Sequence, residues 1–247
     1  MSIAATASTG FAAPVIRGPR GRMIPSNRTV EIFDDFCFGT SLAESGAIPA
    51  VATASWSVHE TGSGTVVPTN VAGGAVLFTT AGGSNDAMVM ATPSEFYSFG
   101  AGRSFAFEAR FQADTAATAD GASFFGIGEM SHATQPLGAD NVAILGKAHA
   151  GFSTIDGAIT FSHAHDTTAT TSATLATLVA ATDTVLGFEY DGTNQEFKAY
   201  IDGSLVLTQA LATAPDDLMA IICGIQNGAD GNAKTAQLDY VYFRGEM

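Results

Sequence analysis

Residues 187–207, GFEYDGTNQEFKAYIDGSLVL, write two consecutive strand-to-strand corners with turn chemistry at both. Leu186, Phe188 and Tyr190 alternate with Gly187 and Glu189 before Asp191-Gly192. Phe197, Ala199 and Ile201 then alternate with Glu196, Lys198 and Tyr200 before Asp202-Gly203 leads into Leu205 and Leu207. A period of two puts one set of side chains on each face of a strand, and Asp-Gly supplies the positive φ angles of a tight hairpin. This stretch is therefore an antiparallel meander with one apolar face.

The same pattern extends through the chain. Phe105, Phe107, Ala109 and Phe111 share one face of a strand over 104–112, while Ala106, Glu108, Arg110 and Gln112 share the other. Further strands are expected at 31–36, 55–59, 75–80, 87–91, 123–128, 141–147, 151–155, 158–162, 185–190, 196–201, 205–208, 218–226 and 235–244, with another tight hairpin at Asp156-Gly157. Residues 167–182, rich in Thr and Ala, are ambiguous between a short helix and a loop. So many short strands with Gly-rich turns predict a two-sheet sandwich and argue against a parallel α/β fold. At 247 residues the chain is long enough for one large all-β domain.

The Tyr-Asp-Gly at 190–192 and Tyr-Ile-Asp-Gly at 200–203 resemble a signature of the concanavalin A-like (laminin G-like) jelly rolls. Phe33-Asp34-Asp35-Phe36 is similar to the opening strand, and Leu238-Asp239-Tyr240-Val241 to the closing strand, of such domains in phage virion proteins. The resemblance covers residues 31–247 and implies a jelly-roll sandwich of two antiparallel sheets, the fold of lectins, glycan hydrolases and many phage structural proteins. It also implies that the terminal strands pair. Relatives place a structural calcium near such a pair, with Asp34 or Asp35 and Asp239 the matching carboxylates here, although turn or surface carboxylates are the simpler reading.

Residues 1–30 hold Arg17, Arg20, Arg22 and Arg28 with no Asp or Glu, a charge of +4. The rest of the chain holds the other 6 basic and all 24 acidic side chains, a balance of −18. Gly18-Pro19 and Pro25 forbid a continuous helix, so 1–30 reads as an extended basic N-terminal arm in front of a sandwich over 31–247. Such an arm suits docking on an anionic surface, and its four arginines are the candidate partner-binding residues. Only 14% of residues are charged, which favours a body packed against other proteins. The first 16 residues contain no Lys or Arg, so no signal-peptide pattern is expected, and 61–85 is too rich in Gly, Thr and Pro for a membrane helix. Cys37 and Cys223 read as core thiols, with a bridge between them left open.

Chemistry-bearing constellations are sparse. Retaining glycoside hydrolysis needs two carboxyl groups about 5 Å apart, and alternate positions on a strand meet that need. No such pair is expected, because Glu108 is followed by Arg110 and Glu189 by an Asp191 assigned to a turn. His163 and His165 share one face of a strand end beside Asp166, with His149 upstream. They could ligate a metal or simply lead polar chain into a Thr-rich loop, and no metal is assigned. Trp56, the only tryptophan, sits among small residues and reads as core. No nucleotide-binding or nucleophile-elbow motif occurs, so neither cofactor nor enzymatic activity is expected.

The resemblance, taken with the charge split, implies a virion structural protein, a capsid decoration (cement) protein on the outer surface of a phage head assembled in the host cytoplasm. Its partners would be the major capsid protein and neighbouring copies of itself, in a homo-oligomer such as a trimer, with no membrane or nucleic-acid partner. The alternative is a carbohydrate-binding module of a tail or fibre protein, with a glycan as partner.

Overall fold

The computed structural model describes residues 29–36, 42–44, 56–69, 74–99, 102–114, 120–129, 147–165, 169–215 and 217–246. These residues form strands and no helix: β1 (Thr29–Asp34), β2 (Leu42–Glu44), β3 (Trp56–Thr61), β4 (Gly64–Thr69), β5 (Ala75–Thr80), β6 (Ala87–Ala91), β7 (Tyr97–Ser98), β8 (Phe105–Ala113), β9 (Gly121–Gly128), β10 (His149–Ile155), β11 (Ala158–Ala164), β12 (Ala169–Thr171), β13 (Ala176–Thr177), β14 (Asp183–Asp191), β15 (Glu196–Ile201), β16 (Ser204–Ala210), β17 (Leu218–Asn227) and β18 (Thr235–Glu246).

Two sheets result. The eight-stranded sheet runs β16-β15-β14-β8-β18-β5-β4, with β1 end to end with β5 along β18. The ten-stranded sheet runs β12-β11-β10-β9-β17-β6-β3-β2, with β13 on β11 and β7 on β17. Every pairing is antiparallel except β2 with β3. The chain is therefore an all-β jelly-roll sandwich of two antiparallel sheets, as its alternation and turns predict.

Turn chemistry sets the register of the meander. Asp156-Gly157 and Asp202-Gly203 both hold positive φ at the two central positions, the backbone of a twist-matched two-residue hairpin. The corner after Asp191 is longer, a loop over 192–195, with Asp191 paired to Glu196. Asp191 closes it: its Oδ1 accepts the backbone N–H groups of Thr193 and Asn194 at 2.9 and 3.1 Å, and its Oδ2 accepts Asn194 Nδ2 at 2.7 Å. Gly192 is needed there because a Cβ would run into the Arg103 backbone.

Aromatic side chains fill the space between the sheets. Phe105, Phe107 and Phe111 of β8 face inward with Phe188, Tyr190, Phe197 and Ile201, all buried, while the other face of β8 is half-buried. The sheets meet where Phe111 packs on Phe125 with ring centres 4.2 Å apart, and where Phe161 of β11 touches both Phe188 and Phe197 at 5.2 Å. The alternation read from the sequence holds for β8, β14 and β15. It does not hold for β9 and β17, which are buried on both faces. Val89, Ala91, Phe124, Ala220 and Ile222 form a second buried cluster on the far side of the ten-stranded sheet.

The structure corrects several expectations. Residues 169–177 are neither helix nor plain loop but contribute β12 and β13, two short strands along β11. β4 was missed: its edge position leaves it half polar, and Pro68 hides a strand from propensity. Thr29 and Val30, assigned to the arm, belong to the sandwich and pair with Glu246 and Gly245. The expected strand at 141–147 lies outside the described residues except for Lys147, at a bend before β10.

Candidate functional site

The outward face of the eight-stranded sheet carries alternating carboxylates and tyrosines. β8 contributes Ala106, Glu108, Arg110 and Gln112, and β14 presents Val185, Gly187 and Glu189 beside them. β15 adds Lys198 and Tyr200, and β18 adds Tyr240, Tyr242 and Arg244. At the end where β8 starts and β14 and β18 finish, this face opens into a groove of about 320 Å3. Its side chains include Ser104, Glu189, Asp191, Lys198, Arg244 and Glu246, over a floor from Phe105, Tyr190 and Gly245.

The carboxylates and Lys198 of the groove are each held by a neighbour. The Tyr200 hydroxyl donates to Glu189 Oε2 at 3.1 Å. Burial holds the Glu189 carboxyl above its usual range, against the lowering pull of Tyr200 and Lys198. Burial together with Glu189 pushes Tyr200 up to about 12. Lys198 Nζ pairs with Glu196 Oε1 at 3.1 Å, and Glu246 Oε2 accepts the Ser104 backbone N–H at 3.0 Å. The Asn194 and Thr193 hydrogen bonds, the backbone one from Asn194 first, keep Asp191 below the ordinary carboxylate range.

The network continues along the sheet. Tyr240 donates to Glu108 Oε1 at 2.5 Å and packs on Phe33 with ring centres 6.0 Å apart. Arg110 pairs with Asp183 and, at 3.2 Å, with Asp239. Tyr242, pushed up to about 12 by burial and by Glu31, shares hydrogen bonds with Glu31 and Arg244. The result is a row of pre-oriented hydroxyl and carboxylate groups beside aromatic edges, suited to hydrogen-bonding a hydroxyl-rich ligand.

β14 continues through Asp191, so Glu189 and Asp191 do stand at alternate positions on one outward face. That overturns the expectation that no strand offers such a pair. The pair is nevertheless committed elsewhere: both Asp191 oxygens close the 192–195 loop, and Glu189 accepts from Tyr200.

The other residues singled out in the sequence are dispersed. Arg17, Arg20, Arg22 and Arg28 lie outside the described residues, as do Cys37 and Asp166. Cys223 is a free, buried thiol, and burial pushes it up. His163 and His149 do not form a cluster, because they point to opposite faces of their sheet. The His163 ring packs on Phe197 between the sheets at 5.5 Å. His149 contacts Ser162 Oγ at 2.9 Å and the Lys147 carbonyl at 2.6 Å on the far side, where burial lowers it to about 4. β1 does pair with β18, but Asp34 accepts the Trp56 indole N–H at 2.8 Å and the Phe36 backbone N–H at 2.9 Å, and Asp239 is taken by Arg110. Among the described residues no group of three or more His, Cys, Asp or Glu stands close enough to hold a metal ion. Trp56 is buried, as expected. Sequence reasoning missed the groove because its residues come from strands far apart in the chain. The alternation of Glu189, Lys198 and Tyr200 on the wet face of the meander was the only available signal.

No family model and no curated protein matches the chain. Solved structures do. A protein of unknown function from Shewanella oneidensis MR-1 is similar at 14% identity and a TM-score of 0.61, over 89% of this chain and 87% of that one. The endo-1,3-beta-glucanase of Streptomyces sioyaensis is similar at 14% identity and a TM-score of 0.58, over 93% and 99% of the two chains. The Emp46p carbohydrate recognition domain, in its potassium-bound form, is similar at 11% identity and a TM-score of 0.53, over 76% and 88%. At these identities the likeness is one of fold: the neighbours are concanavalin A-like lectin and glucanase jelly-roll domains. The resemblance in the turn motifs is thus matched in architecture, and two of these three neighbours, the glucanase and the carbohydrate recognition domain, have names that concern carbohydrate.

Proposed function

We propose that this protein is a non-catalytic carbohydrate-binding jelly roll whose ligand lies in the groove at Glu189, Lys198 and Arg244. The observation that carries the reading is the groove itself, with its carboxylates fixed on the outer face of the sheet by hydrogen bonds, Glu189 by the neighbouring Tyr200 and Glu246 by the Ser104 backbone. The carbohydrate-related names of structures with the same fold support it. Three carboxylates against two cations in the groove, on a chain of net charge −14, favour a neutral glycan over an acidic one. A glycan array followed by calorimetry tests this. Glu189→Gln, which keeps the shape and removes the charged acceptor, should weaken binding about tenfold or more, since hydrogen bonds to charged groups contribute about 1.5–3 kcal/mol. Absence of binding to any neutral glycan would overturn the reading. Release of reducing ends from a bound glucan, abolished by Glu189→Gln, would instead make the protein a hydrolase.

A second reading, decoration of a viral shell, rests on the +4 and −18 charge split. It expects Arg17, Arg20, Arg22 and Arg28 to hold an acidic partner surface, major capsid protein or neighbouring copy, in a salt-sensitive complex. Co-sedimentation with shells at rising ionic strength tests it.

A further inference from the structure

We propose that β16 is a docking edge for a second copy of this chain, the two β16 strands pairing antiparallel so that two eight-stranded sheets become one. Among the described residues, the other strands at the ends of the sheets are guarded. β4 carries Pro68, β1, paired only with β18, carries Glu31 and Asp34, and β2, β7, β12 and β13 are only three, two, three and two residues long. Proline, charge and shortness are among the means by which proteins stop sheets from joining edge to edge. β16 has none of these. It runs seven residues, SLVLTQA, without a charge or a proline, mostly exposed, and Leu205 is 54% exposed. The register slips at Val206, which is skipped between Leu205 and Leu207, and pairing is regular over the four residues from Leu207 to Ala210.

The occupant follows from charge and symmetry. Copies of a chain with net charge −14 repel each other over most of their surface. An uncharged strip is where two such surfaces approach at least electrostatic cost, and antiparallel pairing of a strand with itself about a two-fold axis is self-complementary. That axis stands perpendicular to the joined sheet, so the outward faces of both copies, with their grooves, lie on the same side.

The test is sedimentation of the full-length chain at micromolar concentration, with amide exchange read over 204–210. The expected species has twice the mass of the 25.3 kDa chain, and those amides should become more protected as concentration rises. Leu205→Lys with Ala210→Lys, both on exposed positions, should raise the dimer dissociation constant about tenfold or more, because like charges facing each other across an antiparallel ladder repel. A monomeric wild type would overturn the proposal. So would an oligomer that survives the double variant, or one whose 204–210 amides exchange independently of concentration. Should the double variant fail to fold, the concentration dependence in the wild type decides alone. None of these readings depends on a glycan, so the failure of one proposal leaves the other intact.

Discussion

Phe107 and Glu108 are neighbours in β8 with opposite duties. Phe107 is fully buried and packs on Phe188 with tilted rings whose centres are 5.2 Å apart, whereas Glu108 faces outward and accepts one hydrogen bond from Tyr240. Truncating a buried Phe to Ala costs about 3–5 kcal/mol, and losing a partly exposed hydrogen bond about 1 kcal/mol. Phe107→Ala should therefore lower the melting temperature far more than Glu108→Ala, and equal losses in a thermal melt would show β8 buried on both sides. His149 sets a pH limit at the same scale. Burial lowers it from 6.5 to about 4, so between those values the unfolded chain binds more protons than the folded one. Stability should be fully present above pH 6.5 and fall on acidification toward pH 4, by about 3 kcal/mol for this group. His149→Gln should flatten that part of a Tm-against-pH curve, and an unchanged slope would assign the loss to other groups.

At the scale of elements, the two corners of the meander make different demands on glycine. Gly203 has φ +76° with open space around its Cβ position, while Gly192 is pressed against the Arg103 backbone. Gly203→Ala should cost about 1 kcal/mol, the ordinary penalty of left-handed backbone for an L-residue. Gly192→Ala should cost clearly more, because backbone of another loop must move. Urea titrations of both variants measure the difference, and the reverse order would mean that the 102–104 approach is soft. Much of this element level was legible in advance. Asp-Gly pairs announce corners, and strict alternation marks β8, β14 and β15 because each buries one face only. β9 and β17 escape the rule, since burial on both sides erases the polar half of the pattern.

For the whole molecule, edge pairing through β16 and a groove on the outer sheet have a joint consequence. Two grooves on one side of a shared sheet would hold a repeating glycan at two points, so binding to a polymer should exceed binding to a short oligomer by avidity. The Leu205→Lys, Ala210→Lys variant should lose that excess while keeping the affinity for a single oligomer. The four arginines at 17–28 set a basic stretch against an otherwise acidic chain, the charge split on which the shell-decoration proposal rests.

The sequence by itself determined the all-β class, the meander and the inward aromatic face, because local turn chemistry and period-two patterning carry that information, while the pairing of the terminal strands followed only from the resemblance in its motifs. Only the tertiary structure decided what the polar residues do. It separated His149 from His163 across a sheet, gave Asp34 to Trp56 and Asp239 to Arg110, and brought Glu189, Lys198, Arg244 and Glu246 from three strands into one groove. A side chain's partners depend on which strands become neighbours. In an antiparallel sandwich those neighbours, such as β8 and β18, are often far apart along the chain.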